Sequence, residues 1–139
     1  MIEISFEIIK LDEQQNIQPV VNAYIDTQKI RLVIDTGASR SCLSQKSIKH
    51  IKTKNELKAD AVIGIGRGRL KNRFVQIPNF KIGELEIKNY NFLALQMNHI
   101  NKMLSSLGME KIDGMLGSDI LYEYKAVIDY VEQKIIFNI

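Results

Sequence analysis

The segment Leu32-Val33-Ile34-Asp35-Thr36-Gly37-Ala38-Ser39 runs three apolar residues into an acid, a hydroxyl residue and a glycine. A buried strand of this kind delivers a carboxylate to a tight loop, and a carboxylate so placed can give and take protons. Gly37 lets the backbone turn and approach another group closely, and Thr36 can anchor the loop by its hydroxyl. The same triplet also forms ordinary strand-to-turn exits, so on its own it leaves both readings open. A second segment, Ile112-Asp113-Gly114-Met115-Leu116-Gly117-Ser118-Asp119-Ile120-Leu121, is another short apolar strand closed by glycine. It runs into a short helix that Ser118 or Asp119 is placed to cap. Between the two lies Ile63-Gly64-Ile65-Gly66-Arg67-Gly68, whose alternating glycines suit a mobile hairpin. No Lys-Ser/Thr follows those glycines and a β pattern surrounds them, which argues against a phosphate-binding loop.

The elements that must position these segments are mostly strands. Residues 2–9 alternate, with Ile2, Ile4, Phe6 and Ile8 on one face, and predict a half-buried strand. Pro19–Ile25 and Lys29–Ile34 predict a hairpin around Asp26-Thr27-Gln28. Ser44–Ile51 predicts a short helix capped by Ser44. Leu57–Ile63 predicts a strand entering the glycine-rich stretch. Further strands are expected at Leu70–Ile77, Phe80–Ile82, Leu85–Ile87 and Asn91–Met97. His99–Leu107 is the best helix candidate, with Asn98 as N-cap and Gly108 just past its end. Ile112–Leu116 predicts a strand, and Ala126–Tyr130 with Lys134–Ile139 a closing hairpin. The surplus of β-branched residues, 22 isoleucines and 7 valines, agrees with many short strands and an all-β, barrel-like class.

Composition narrows the function. The chain has 139 residues, 45% apolar and 25% charged, which fits one globular domain spanning 1–139. Nineteen basic and sixteen acidic residues leave +3, too small a surplus to imply a nucleic-acid or anionic-membrane partner. Arg67, Arg69, Lys71 and Arg73 share one strand face, but few aromatics interleave them and they read as a solvated face. One cysteine excludes an intramolecular disulfide, and two histidines 49 residues apart offer no metal spacing. Cys42 reads as a small buried side chain, and Met97, Met103, Met109 and Met115 as fillers of core or interface gaps. No apolar run approaches the roughly 18 residues of a membrane-spanning helix. The acidic, alternating N-terminus is unlike a signal peptide, so the expected location is cytoplasmic for the chain as written.

Taken in order, Asp35-Thr36-Gly37-Ala38 after an apolar strand, the glycine-containing hairpin, Met115-Leu116-Gly117 and the following helix and terminal strand resemble the retroviral-type (retropepsin-like) aspartic proteases. These are single-domain, half-size relatives of pepsin. The ending, Tyr124-Lys125-Ala126-Val127-Ile128-Asp129-Tyr130, is similar to the bacterial branch of that family. The resemblance implies an all-β, closed acid-protease barrel with two or three short helices, acting on peptide or protein without metal or organic cofactor. It also implies catalytic roles for Asp35, Thr36 and Gly37. Ala38, Ser39, Ile63, Gly64, Ile65 and Gly66 would face the substrate, with Leu116 and Gly117 supporting the site from behind.

Such chemistry needs two aspartates around one water, one ionised as general base and one protonated as general acid. This chain has one Asp-Thr-Gly; Asp113-Gly114 and Asp129-Tyr130 lack the hydroxyl-glycine pair. A homodimer pairing Asp35 with its symmetry mate is therefore the expected enzyme. Ala38 withholds a hydroxyl donor that serine would offer the carboxylates, so the resemblance implies activity nearer neutrality than pepsin's. In the retroviral members the residue after that alanine is an acid that pairs with an arginine after the late glycine. Ser39 and Ser118 stand there instead, so the loop must be supported differently. The alternatives are a non-catalytic dimer binding peptide in the same groove, and a basic-hairpin nucleic-acid binder indifferent to Asp35 and sensitive to salt.

Overall fold

In the computed structural model, which describes residues 1–14, 16–51, 56–58 and 73–139, alternation of apolar residues organises two sheets. The larger has the order β2 (Glu7–Lys10), β3 (Ile17–Ile25), β4 (Gln28–Ile34), β9 (Gly114–Leu116), β5 (Cys42–Ser44), β8 (Leu85–Leu95), β7 (Arg73–Ile82) and β6 (Glu56–Lys58). Pairing of Tyr24 with Lys81 and Ile25 with Phe80 joins β3 to β7. This closes β3, β4, β9, β5, β8 and β7 into a six-stranded barrel. The smaller sheet sets β11 (Lys134–Phe137) between β1 (Ile2–Ser5) and β10 (Ala126–Asp129). Among the described residues three short helices accompany the sheets: α1 (Gln45–Ile48), α2 (Asn98–Ser106) and α3 (Ser118–Glu123). The expected all-β closed barrel is the observed one.

Strand alternation divides β4 between two cores. Leu32 and Ile34 join the main core with Phe80, Phe92, Leu116 and Phe137. Val33 points the other way, into a small cluster built by Val20, Met97, Leu104 and Ile112 under α2. Asp35 is the next residue after Ile34 and emerges where β4 ends.

The expected elements stand with local revisions. Residues 2–9 are not one strand: Phe6 is buried, its N–H donates to the Gln133 carbonyl, and β1 and β2 join different sheets. The β3–β4 turn is shorter than expected, with Asp26 in the left-handed region at φ 51° and Gln28 already in β4. The pieces expected on either side of Pro78 form one long strand, and so do those across Asn89. Asn98 is the first helical residue of α2 rather than its cap, since Met97 holds the N-cap position. Ser44 does precede α1, without a side-chain capping bond.

Asp113, dismissed as a second active-site acid by its neighbours, is a structural clamp. It is buried; its carboxylate accepts from the Arg31 N–H at 2.8 Å and from the Ser47 hydroxyl. Its own N–H donates to the Arg31 carbonyl and its carbonyl accepts from Ser44. One residue thus fixes β9 against β4, β5 and α1. Gly114 follows because a side chain there has no room: a Cβ would collide with the Cys42 carbonyl. Gly114→Ala is expected to destabilise the fold by about 3 kcal/mol, since the obstacle is backbone and cannot swing away. Chemical denaturation checks this; an unchanged midpoint would contradict the packing of β9 against β5.

Candidate active site

The loop after β4 turns by its own hydrogen bonds. The Asp35 N–H donates to the Leu116 carbonyl at 3.0 Å, continuing the parallel ladder of β4 and β9 for one more residue. The Ala38 N–H donates back to the Asp35 carbonyl at 3.2 Å. The Asp35 carboxylate accepts the Gly37 N–H at 2.9 Å through Oδ1, and no donor among the described residues reaches Oδ2. Asp35 is half-buried, and Thr36, Gly37 and Ser39 are exposed. A carboxylate held by one backbone donor at the mouth of a loop is suited to proton transfer.

The segment after β9 grips this loop from behind. Gly117 lies so near the loop backbone that a Cβ would stand 2.8 Å from the Ala38 carbonyl oxygen and 2.9 Å from the Ser41 nitrogen. Just beyond it, the Ser118 N–H donates to the Ala38 carbonyl at 2.7 Å and its hydroxyl to the Thr36 carbonyl at 2.6 Å. The anchor expected from the Thr36 hydroxyl is thus made through the Thr36 backbone. Ser118 does not cap α3; it is the first helical residue, with Gly117 at the N-cap. Asp35, Thr36, Gly37, Ala38, Leu116 and Gly117 are brought together. Ile63, Gly64, Ile65 and Gly66, with Arg67, Gly68, Arg69 and Lys71, lie outside the described residues.

Asp119 is the residue that sequence reasoning placed wrongly. It does not cap α3: one carboxylate oxygen accepts from both the Ser41 N–H at 2.9 Å and the Ser41 hydroxyl at 2.7 Å. The other accepts the Tyr90 hydroxyl at 2.6 Å and lies 3.9 Å from Arg40 Nε. The Ser41 hydroxyl also accepts the Gly117 N–H at 2.9 Å. Arg40 bonds the Asn91 carbonyl at 2.9 Å and lies 5.0 Å from the Phe74 ring centre, a cation–π distance. The loop therefore has an ion pair after all, with its polarity reversed relative to the retroviral pattern. The base stands on the loop at Arg40 and the acid on the helix at Asp119. Ser41, Tyr90 and Arg40 were missed because their partner Asp119 is 78, 29 and 79 residues away in sequence, respectively. The one visible hint was Ser41, a polar residue directly before the apolar pair Cys42 and Leu43 that opens β5.

Electrostatics follow the burial. Burial pushes the Cys42 thiol up to about 11, with the charges of Asp35 and Asp119 acting in the same sense. It is buried, as expected of a small packed side chain, and is a poor nucleophile in this state. Burial raises the Tyr90 phenol as well, and its hydrogen bond to Asp119 holds it further in the protonated, donating form. Among the described residues no group of three or more His, Cys, Asp or Glu could hold a metal ion. No described helix is long and apolar enough to cross a membrane. Beside Asp35 opens an apolar cavity of about 220 Å³ bounded by α2, β4 and β9.

A family profile described as aspartyl protease matches residues 21–120, from β3 through the start of α3. Among solved structures the chain is similar to a retropepsin-like aspartic protease from Rickettsia conorii, with 20% identity and a TM-score of 0.58. That alignment covers 98% of this chain and 88% of the other. The EIAV protease, complexed with the inhibitor HBY-793, aligns at 18% identity and TM-score 0.58 over 85% of this chain and 98% of its own. The retroviral protease-like domain of Ddi1 from Leishmania major aligns at 15% identity and TM-score 0.55, over 86% of each chain. These likenesses establish a retropepsin-like fold. No curated protein sequence matches the chain.

Asp119→Ala leaves the Ser41 N–H and the Ser41 and Tyr90 hydroxyls without their acceptor, and is expected to destabilise the protein by about 2–3 kcal/mol. Tyr90→Phe removes one donor and leaves the carboxylate bonded to Ser41, so its expected effect is smaller, about 1 kcal/mol. Urea denaturation of both variants tests the ranking. Equal losses would mean that the Asp119–Ser41 bonds carry no weight.

Proposed function

The chain belongs to the aspartyl protease family, and from that membership we propose that it is an endopeptidase assembled as a homodimer, cutting peptides with water held between two copies of Asp35. The observation that carries this reading is the Asp35 loop itself, where the Gly37 N–H engages one carboxylate oxygen at the end of β4 and no donor among the described residues reaches the other. The chain brings one Asp-Thr-Gly, and a twofold axis through the loop supplies the second.

Two carboxylates a few ångströms apart share one proton, because like charges at that range do not both ionise. The ionised Asp35 takes a proton from the water as it attacks the peptide carbonyl; the protonated Asp35 gives its proton to the carbonyl oxygen. Collapse of the tetrahedral intermediate returns that proton and passes the other to the departing nitrogen. Thr36 and Gly37, exposed on the loop, would meet their counterparts across the axis. Ile63, Gly64, Ile65 and Gly66 would close over an extended peptide, with Ala38 and Ser39 along its path. Leu116 and Gly117 act from behind by fixing the loop's backbone. Activity needs no metal or organic cofactor in this scheme.

Asp35→Asn keeps the side chain's size and an oxygen for the Gly37 N–H, but offers no base. It is expected to fold and dimerise as the wild type does, and to lose cleavage of an unfolded casein substrate by at least about a thousandfold, as loss of the base and acid of one group requires. Cleavage at the wild-type rate by this variant would overturn the assignment.

A further inference from the structure

Helix α2 has two unlike faces. Ile100, Met103 and Leu104 share one of them, toward the cavity beside Asp35. Leu104 anchors the helix in the small second core, and Gly108, at φ 72°, follows its end. Met103 is 46% exposed, which corrects the expectation that it fills a core gap; Met97 is buried in the small core, and Met109 packs against it. Asn98, Asn101, Lys102 and Ser105 recur at helical spacing on the other face. Together with Lys46 of α1 and Lys111, just before β9, they line a second, open groove of about 410 Å³. The groove's walls are tied to each other: the Asn101 side chain donates to the Ile112 carbonyl at 3.0 Å and accepts its N–H at 2.8 Å.

This lining suits an anion. Among the described residues it holds three lysines, two asparagines and a serine, with no carboxylate and no aliphatic side chain. Neither Lys46 nor Lys102 makes an ion pair among the described residues. Lys111 lies 3.7 Å from Asp113, but that carboxylate is buried and already accepts from the Arg31 N–H and the Ser47 hydroxyl. Glu110, beside Lys111 in sequence, lies instead 3.6 Å from Arg31. The sequence keeps acids away from both helices: none occurs between residues 36 and 55, nor between residues 87 and 109. Like charges gathered in this way repel one another until an anion lies among them.

We propose that this groove docks an acidic stretch of the polypeptide that the enzyme cuts, several residues away from the cut bond. The inference rests on the protease reading above. Lysines are separate point charges spread over α1, α2 and the approach to β9, which matches carboxylates spaced along a chain. Among the described lining residues no arginine forks onto a single phosphate, and no aromatic ring offers a base a surface to stack on. Asn98 and Ser105 supply hydrogen bonds to the backbone of the docked stretch. The groove lies across α2 from the cavity beside Asp35, and a helix with its side chains is about 10–12 Å thick. Extended chain covers about 3.3 Å per residue, so roughly six residues lead from Asp35 around the helix. Docking there tethers the substrate near the cleft and lowers KM without changing the chemical step.

The test uses the full chain and a peptide core that wild type cuts out of casein, extended about six residues from the cut by a tail. The tail is Glu-Asp-Glu-Glu or Gly-Ser-Gly-Ser. Wild type is expected to show a KM about tenfold lower for the acidic tail at equal kcat, the sum of three individually weak exposed pairs, and to lose that advantage as salt is raised. Lys46→Gln combined with Lys102→Gln and Lys111→Gln is expected to bring the ratio of the two KM values to about one. Lys46→Gln with Lys102→Gln alone, which leaves Lys111 beside the Asp113 clamp, is expected to lose most of it, and Lys102→Arg to keep it. Circular dichroism confirms that each variant is folded. Binding of the labelled acidic tail alone, read by fluorescence polarisation, separates the two claims. A core that is cut with no difference between tails, or an acidic advantage that survives in both glutamine variants, overturns the groove and leaves the protease standing. A single-stranded RNA of matched charge that binds more tightly than the tail, and is lost in the same variants, overturns the acidic-polypeptide reading in favour of nucleic acid. Tail binding that the glutamine variants lose, with no casein or peptide cut by wild type, overturns the protease reading and supports the groove. Neither cleavage nor tail binding overturns both.

Discussion

The site depends on one backbone-to-backbone approach. The chain leaving β9 at Gly117 passes so near residues 38–41 that no side chain can stand between them. This contact lets Ser118 reach two loop carbonyls, those of Thr36 and Ala38, with its N–H and hydroxyl. Upstream, the β4–β9 ladder carries Asp35 onto the Leu116 carbonyl. The loop is thus held from the strand side and the helix side, and Asp35 at its head needs only the Gly37 N–H to fix its carboxylate. A tight crossing of two segments about 80 residues apart turns a flexible Asp-Thr-Gly turn into a rigid mount.

Around that crossing the protein has two differently built supports. On one side Asp119, Ser41, Tyr90 and Arg40 form a polar knot, largely screened from water, in which every carboxylate oxygen has a donor. Such a network is directional and fixes orientation more than it adds stability. On the other side α2 and the outer faces of β4 and β9 form an apolar second core that stops short of closing, leaving the cavity beside Asp35. The polar side holds the loop; the apolar side leaves open space beside Asp35. The retroviral-type loop ion pair is absent at Ser39 and Ser118, and the Arg40–Asp119 pair one residue further along occupies the same seam with its charges exchanged.

Much of this was legible in the sequence because it is local. Apolar alternation marked β3, β4 and the terminal hairpin, and the order of Asp-Thr-Gly, glycine-rich stretch and Leu-Gly pointed to the barrel and to Asp35. What local pattern cannot carry is the identity of partners across the barrel. Asp119 stands in the first turn of α3 and looks like a cap, but the Ser41 amide and hydroxyl offer donors the helix terminus does not. Asp113 looked like a failed active-site acid, whereas burial beside the Arg31 N–H and Ser47 made it a clamp. The strand over residues 2–9 broke at Phe6 because the same apolar face serves two sheets. α2 was recognised as a helix, but which of its apolar residues face a core and which a cavity depends on β4 and β9 lying opposite.

The central claim is that each chain supplies half of the catalytic pair, and subunit mixing tests it most directly. Wild type and Asp35→Asn are combined at a fixed total concentration, left to exchange subunits, and assayed on one peptide. If the site needs two intact copies of Asp35, activity falls as the square of the wild-type fraction, so an equal mixture keeps about a quarter of it. Activity that instead falls in direct proportion, with about half remaining, would mean that a single chain carries a complete site, and would contradict the account.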